Sequence, residues 1–214
     1  MIRHIRIEEV DWLGFKERMP ITSSEEDENA RSAMWPQFDP NGNGLVSLAE
    51  ADLAFRRMGG PYLPLYYSKK VQLLAFNQAK TSVPGENGQQ DDYIERSELQ
   101  TFLKYCVIYF GYYFMFKILD SDNDERLKVN DFISELSQLR QWGAQIKDSK
   151  DAKKWFYKYD ENRGGQILMD EWVLFAAEQN LDIEKVKLIQ VISSKPRKVY
   201  KLHEYMKRGA KRPN

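Results

Sequence analysis

Phe38-Asp39-Pro40-Asn41-Gly42-Asn43-Gly44-Leu45-Val46-Ser47-Leu48-Ala49-Glu50 is the stretch that decides the fold. Side-chain oxygens recur at alternate positions, Asp39, Asn41 and Asn43; a glycine stands sixth from Asp39 and a glutamate twelfth. A hard divalent cation takes about six to eight oxygen ligands. A short loop supplies that many only if it turns sharply at its middle, and Gly44 can take the positive φ such a turn needs. On this reading Asp39, Asn41 and Asn43 give side-chain oxygens, Leu45 its carbonyl, Ser47 a direct or water-bridged contact, and Glu50 a bidentate carboxylate.

The spacing is that of the Ca²⁺ loop of an EF-hand. Three weaker copies follow. In Asp120 to Asp131 the carboxylates Asp122 and Asp124 supplement Asp120, but Glu125 stands at the glycine position. A non-glycine residue held left-handed there costs about 1–2 kcal/mol. Asp131 is also one methylene shorter than a terminal Glu, which makes Mg²⁺ a competitor in loop 120–131. In Asp160 to Glu171 the ligands Asp160, Asn162 and Glu171 and the hinge Gly165 are present, while Gly164 and Leu168 remove two side-chain donors. The segment 87–98 keeps Ile94 and Glu98 but lacks an opening Asp and has Asp92 at the hinge, so it reads as degenerate. The aliphatic anchors Val46, Ile94, Leu127 and Ile167 are separated by 48, 33 and 40 residues, too irregular for a solenoid. Hands work in pairs because the exposed backbone edge of one loop needs a partner, so Val46 should face Ile94 and Leu127 should face Ile167.

Between the loops the apolar residues recur at helical spacing. Ser23 or Ser24 before Glu25, Glu26 and Glu28 predicts a capped helix start; Ser68 to Ala79, Val129 to Leu139, Asp151 to Tyr159 and Met169 to Gln179 predict further helices. Residues 95–116 form one long helix or two joined near Gly111. The fold class is therefore all-α, with two lobes of paired EF-hands. A lead-in, 1–21, precedes lobe 1 at 22–110 (loops 39–50 and 87–98) and lobe 2 at 111–180 (loops 120–131 and 160–171). A helix and basic tail, 181–214, follow.

Composition fits this picture and excludes others. The chain has 214 residues, 42% of them hydrophobic, which is enough for a core. Its formal net charge is zero, unlike a polycation that coats nucleic acid. One cysteine, Cys106, excludes a disulfide framework or a cysteine zinc cage. The start of the chain lacks a secretory signal, and the apolar run 105–116 is too short to span a bilayer, so an intracellular protein without a transmembrane segment is expected. No pattern for catalysis is present; His4 and His203 stand at opposite ends, and an enzyme is not expected. The charge is nevertheless segregated. From Lys195 to Asn214 eight basic residues meet only Glu204, with Tyr200, Leu202 and Tyr205 interleaved. This tail, 195–214, suits an acidic protein surface such as a microtubule, or anionic lipid or nucleic acid, of which the protein partner is preferred.

Beyond the loops, three segments resemble the flagellar calcium-binding proteins called calflagins. Asp11-Trp-Leu-Gly-Phe-Lys-Glu-Arg-Met-Pro20 is similar to that family's Trp-to-Pro lead-in, the aromatic stretch Phe102 to Phe116 to its bridge between second and third hands, and Leu139 to Asp148 to its linker before the fourth. The resemblance covers roughly residues 10–185. It implies Ca²⁺ binding and a cilium or flagellum. It departs from the family where Ile2 follows Met1 and no cysteine precedes Cys106, so a myristoyl anchor is not expected. Two functions follow: a Ca²⁺-responsive module acting mainly through loop 39–50, or a structural axonemal or microtubule-associated adaptor with largely vestigial hands.

Overall fold

The computed structural model describes residues 12–59, 69–80 and 92–185. The tail 195–214, His4, His203, Asp11, Ser68 and the first residues of loop 87–98 lie outside the described residues. The chain divides into two units, with the boundary between Val107 and Ile108.

The first unit begins with α1 (Trp12–Arg18) and α2 (Glu25–Phe38). Ser24 caps α2, its hydroxyl accepting from the Asp27 amide at 3.2 Å, and four acids fill the first turn, where the helix dipole favours them. The lead-in is fastened to this unit: Phe15 and Met19 are buried, Arg31 donates to the carbonyls of Pro20 and Thr22, and Gln100 donates to that of Ile21. β1 (Leu45–Val46) leads into α3 (Leu48–Gly59), followed by α4 (Lys69–Lys80), β2 (Ile94–Glu95) and a 3₁₀ turn at Arg96–Glu98. The core is aromatic. The Phe102 ring meets Phe38, Phe55 and Phe76 edge-on at 6.2, 5.7 and 6.0 Å, the arrangement that ring quadrupoles favour.

The helix α5 (Leu99–Leu119) runs unbroken through Gly111, so the single-helix alternative is the one formed. With the preceding turn it is long and apolar enough to cross a membrane, yet 61% of its apolar window is buried inside the protein. It is a core helix. Packed on several sides, it needs no polar face, which explains its almost wholly apolar sequence.

In the second unit β3 (Leu127–Lys128) precedes α6 (Val129–Ser134) and α7 (Leu136–Gln141), where the sequence predicted one helix to Leu139. Glu135 leaves the helical region at φ −99°, ψ 20°, and the Ser134 hydroxyl donates to the Asp131 carbonyl at 3.0 Å, a side-chain bond that competes with the helical ladder. Gly143, at φ 110°, ends α7, its amide and that of Ala144 closing onto Arg140 and Leu139. α8 (Ser149–Tyr159), capped by Asp148, then β4 (Gln166–Ile167) and α9 (Met169–Glu178) complete the unit. Phe132, Phe156, Trp172 and Phe175 are fully buried, and the Trp172 indole donates to the Tyr112 carbonyl at 2.7 Å.

Two antiparallel two-residue ladders join the loops in pairs, with Val46 opposite Ile94 and Leu127 opposite Ile167. All four side chains are fully buried. The fold is all-α, built from paired EF-hands, with strand structure among the described residues confined to these ladders.

Candidate metal centre

Loop 39–50 lies between α2 and α3 and is wound around Asp39, which is 7% exposed. One Asp39 oxygen accepts from the amides of Gly42 (2.8 Å) and Asn43 (3.1 Å), the other from Gly44 (3.0 Å). Asn41 and Asn43 turn their carbonyl oxygens inward, accepting from the amides of Asn43 and Leu45, both at 2.9 Å. Gly44 holds φ 82°. At the far end one Glu50 oxygen accepts from the Ser47 amide and hydroxyl at 2.9 and 2.8 Å, and the other accepts from the Asn41 side-chain amide at 2.8 Å. The loop is thus drawn into a ring by its own side chains, with Asp39, Asn41, Asn43, Ser47 and Glu50 gathered on it. These donors are all hard oxygens, and they fit a Ca²⁺ ion.

Loop 160–171 repeats the plan with fewer donors. Asp160 is buried and accepts from Gly164 (2.9 Å) and Gly165 (2.9 Å), Gly165 holds φ 74°, and Glu171 accepts from Leu168 at 2.8 Å and from the Asn162 side-chain amide at 3.3 Å. Asp160, Asn162 and Glu171 come together, while Gly164 and Leu168 bring no side-chain oxygen.

Loop 120–131 is different in charge rather than in shape. Asp120 is buried and accepts from Asp124 (3.1 Å) and Glu125 (3.2 Å), and Asp131 accepts from Lys128 at 2.9 Å, the counterpart of the Glu50 and Glu171 bonds. Glu125 takes φ 62°, so the hinge forms without glycine. Asp120, Asp122 and Asp124 place carboxylate oxygens within 4.8 Å of one another. Two ammonium groups meet these acids. Lys117 reaches Asp120 at 2.6 Å, and Lys128 bridges Asp122 and Asp124 at 2.7 and 2.9 Å. The bond to Lys128 holds the Asp122 carboxyl below its usual range, and the bonds to Asp122 and Asp124 push the Lys128 ammonium well above its own. Ligand counting along the sequence does not reveal either lysine as part of the loop. Their signal is the ninth loop position, serine in the first hand and lysine here, and a basic residue one turn before Asp120.

In the degenerate hand the Glu98 carboxylate accepts from Glu95 at 2.9 Å and is 5% exposed, while Asp92 pairs with Lys80 at 2.9 Å. The twelfth-position acid therefore caps the following helix in all four loops. That bond satisfies a helix N-terminal amide whether or not an ion is held.

No family model matches the chain. Among curated proteins it is similar to flagellar calcium-binding protein TB-24 of Trypanosoma brucei brucei, at 26% identity over 178 residues that cover 81% of this chain and 79% of the relative. Flagellar calcium-binding protein TB-1.7G of the same organism matches at 26% over the same length, 75% of that relative. Among solved structures, a homologue of programmed cell death 6 protein from Leishmania major Friedlin matches 76% of this chain and 79% of its own at 18% identity, with a TM-score of 0.39. Across four fifths of its length, then, this chain of paired EF-hands resembles the flagellar calcium-binding proteins.

Proposed function

We propose that the chain is a calcium-binding EF-hand protein of a cilium or flagellum that takes Ca²⁺ mainly at loop 39–50 and acts through a protein partner. The observation that carries this is the Asp39–Glu50 ring: six ligand positions filled, a hinge glycine at positive φ, and a terminal Glu long enough for two oxygens. Asp39, Asn41, Asn43, Leu45, Ser47 and Glu50 would hold the ion, whose charge would replace the Asn41 amide as the partner of Glu50. Loop 160–171, through Asp160, Asn162 and Glu171, is the second candidate, weakened by its two missing donors. The relatives, named as flagellar calcium-binding proteins, support both the ion and the setting. Lobes 22–110 and 111–180 would act as the two paired-hand bodies, and the basic tail 195–214 would meet an acidic protein surface such as a microtubule.

An amide-resolved nuclear magnetic resonance titration tests this. Micromolar Ca²⁺ should move the Gly44 amide before Gly165; amides that stay still at millimolar Ca²⁺ would refute it.

The second reading is a structural adaptor, and Lys117 and Lys128 favour it because they set the chain's own positive charge against the acids of loop 120–131. Pelleting of the chain with microtubules that needs residues 195–214 and ignores Ca²⁺ would select it.

A further inference from the structure

The third hand carries four carboxylates in the ligand positions, Asp120, Asp122, Asp124 and Asp131, against two each in the first and fourth, so counting charges alone makes it the strongest ion site. Its backbone raises no objection. The hinge is already left-handed at Glu125, the first-position Asp gathers its amides, and the twelfth-position acid caps the next helix as Glu50 and Glu171 do. The difference lies at the ninth position. In the first hand it is Ser47, whose hydroxyl donates to Glu50. Here it is Lys128, whose side chain turns back over the loop and sets its ammonium against Asp122 and Asp124. Those are the third and fifth ligand positions, whose oxygens lie within 4.8 Å of each other and of Asp120. Two cations cannot share that space without strong repulsion at contact distance. Lys117 adds a further positive charge on Asp120, from the last turn of α5.

We infer that Lys128 is a tethered cation occupying the third hand, so that loop 120–131 keeps its ion-bound shape without Ca²⁺ and excludes it. The hand then serves as a fixed partner for the fourth, to which it is joined by the Leu127–Ile167 ladder and by the Arg126 bond to the Gln166 side chain at 3.1 Å. Metal sensing falls to loops that lack such a lysine. This rests on the proposed function only in taking Ca²⁺ as the ion; it does not require that loop 39–50 bind.

The test uses the full chain in a Glu50→Gln background, with Ca²⁺ followed calorimetrically and the Glu125 amide by nuclear magnetic resonance. Lys128→Ser copies the first hand at its ninth position; Lys128→Met keeps the stem without the charge, should the serine variant fold poorly. Either variant should bind Ca²⁺ at least tenfold more tightly at this loop than the background, with the Glu125 amide moving as the site fills. In the unaltered chain that amide should stay still at micromolar Ca²⁺. Lys153→Ser, an equal charge change on α8, should give no gain. The inference is overturned if Glu125 responds equally with Lys128 present, if both Lys128 variants leave it unmoved, or if Lys153→Ser gives the same gain. Failure of the proposed function would show separately, as equal Ca²⁺ binding by the unaltered chain and Glu50→Gln.

Discussion

Exchanging the hinge residues of the first and third hands should shift stability in opposite directions. Gly44 and Glu125 occupy the same loop position at φ 82° and 62°, but only Glu125 carries a Cβ there. A left-handed non-glycine residue costs about 1–2 kcal/mol, and removing a side chain adds chain freedom to the unfolded state worth about 0.4–1 kcal/mol. Glu125→Gly should therefore stabilise the second unit by roughly 0.5–1 kcal/mol. The loss of side-chain contacts does not offset this, because what Glu125 contributes to the loop is its backbone amide on Asp120, which glycine keeps. Gly44→Ala should destabilise the first unit by a similar amount, and strain alone is the cause, since a Cβ at Gly44 meets nothing within 4 Å. The assay is urea unfolding in excess chelator, with amide hydrogen exchange at Val46 and Leu127 reporting the two units separately. A destabilising Glu125→Gly, or a Gly44→Ala that raises stability, would refute the argument that both hinges are held left-handed.

Other consequences are simpler to read. Phe102→Ala removes the ring shared by Phe38, Phe55 and Phe76 and should cost about 3–5 kcal/mol; denaturant unfolding measures it, and a loss below about 1 kcal/mol would contradict the packing. Trp172→Phe removes the indole bond to the Tyr112 carbonyl, which keeps its place in the α5 ladder, and should cost about 0.5–1.5 kcal/mol, seen as a lower thermal midpoint. Cys106 is fully buried and its thiol is pushed up by desolvation, so the reactive thiolate is scarce in the native protein. A thiol reagent at neutral pH should modify it only as fast as the chain opens, and rapid labelling would contradict its burial.

Much of the fold is legible in the sequence because EF-hand geometry is written locally. The hinge glycine, the alternating oxygens and the aliphatic eighth residue each have one physical job, and from them the pairing of Val46 with Ile94 and of Leu127 with Ile167 follows directly. Helix breaks are less legible. The interruption at Glu135 depends on a Ser134 hydroxyl choosing a backbone carbonyl, and α2 continues through Pro36 to the turn that the Asp39 amide closes onto Trp35. Propensity alone decides neither. The packing of Phe15 and Met19 onto the first unit is not written in the sequence, since an amphipathic segment does not name its partner. The lysines of the third hand escape notice for a related reason: ligand counting treats the loop's acids as free, whereas a long flexible side chain from the ninth position can reach back over them.

The central claim is that loop 39–50 is the working ion site, and a calorimetric Ca²⁺ titration of the whole chain at physiological Mg²⁺, beside Glu50→Gln, tests it most directly. The Glu50 carboxylate ties both ends of the ring together, at Asn41 and at Ser47, and the substitution keeps its size while removing its charge. Micromolar binding that is lost in Glu50→Gln is the predicted result. No heat of binding up to millimolar Ca²⁺, or binding that Glu50→Gln leaves unchanged, would contradict the account.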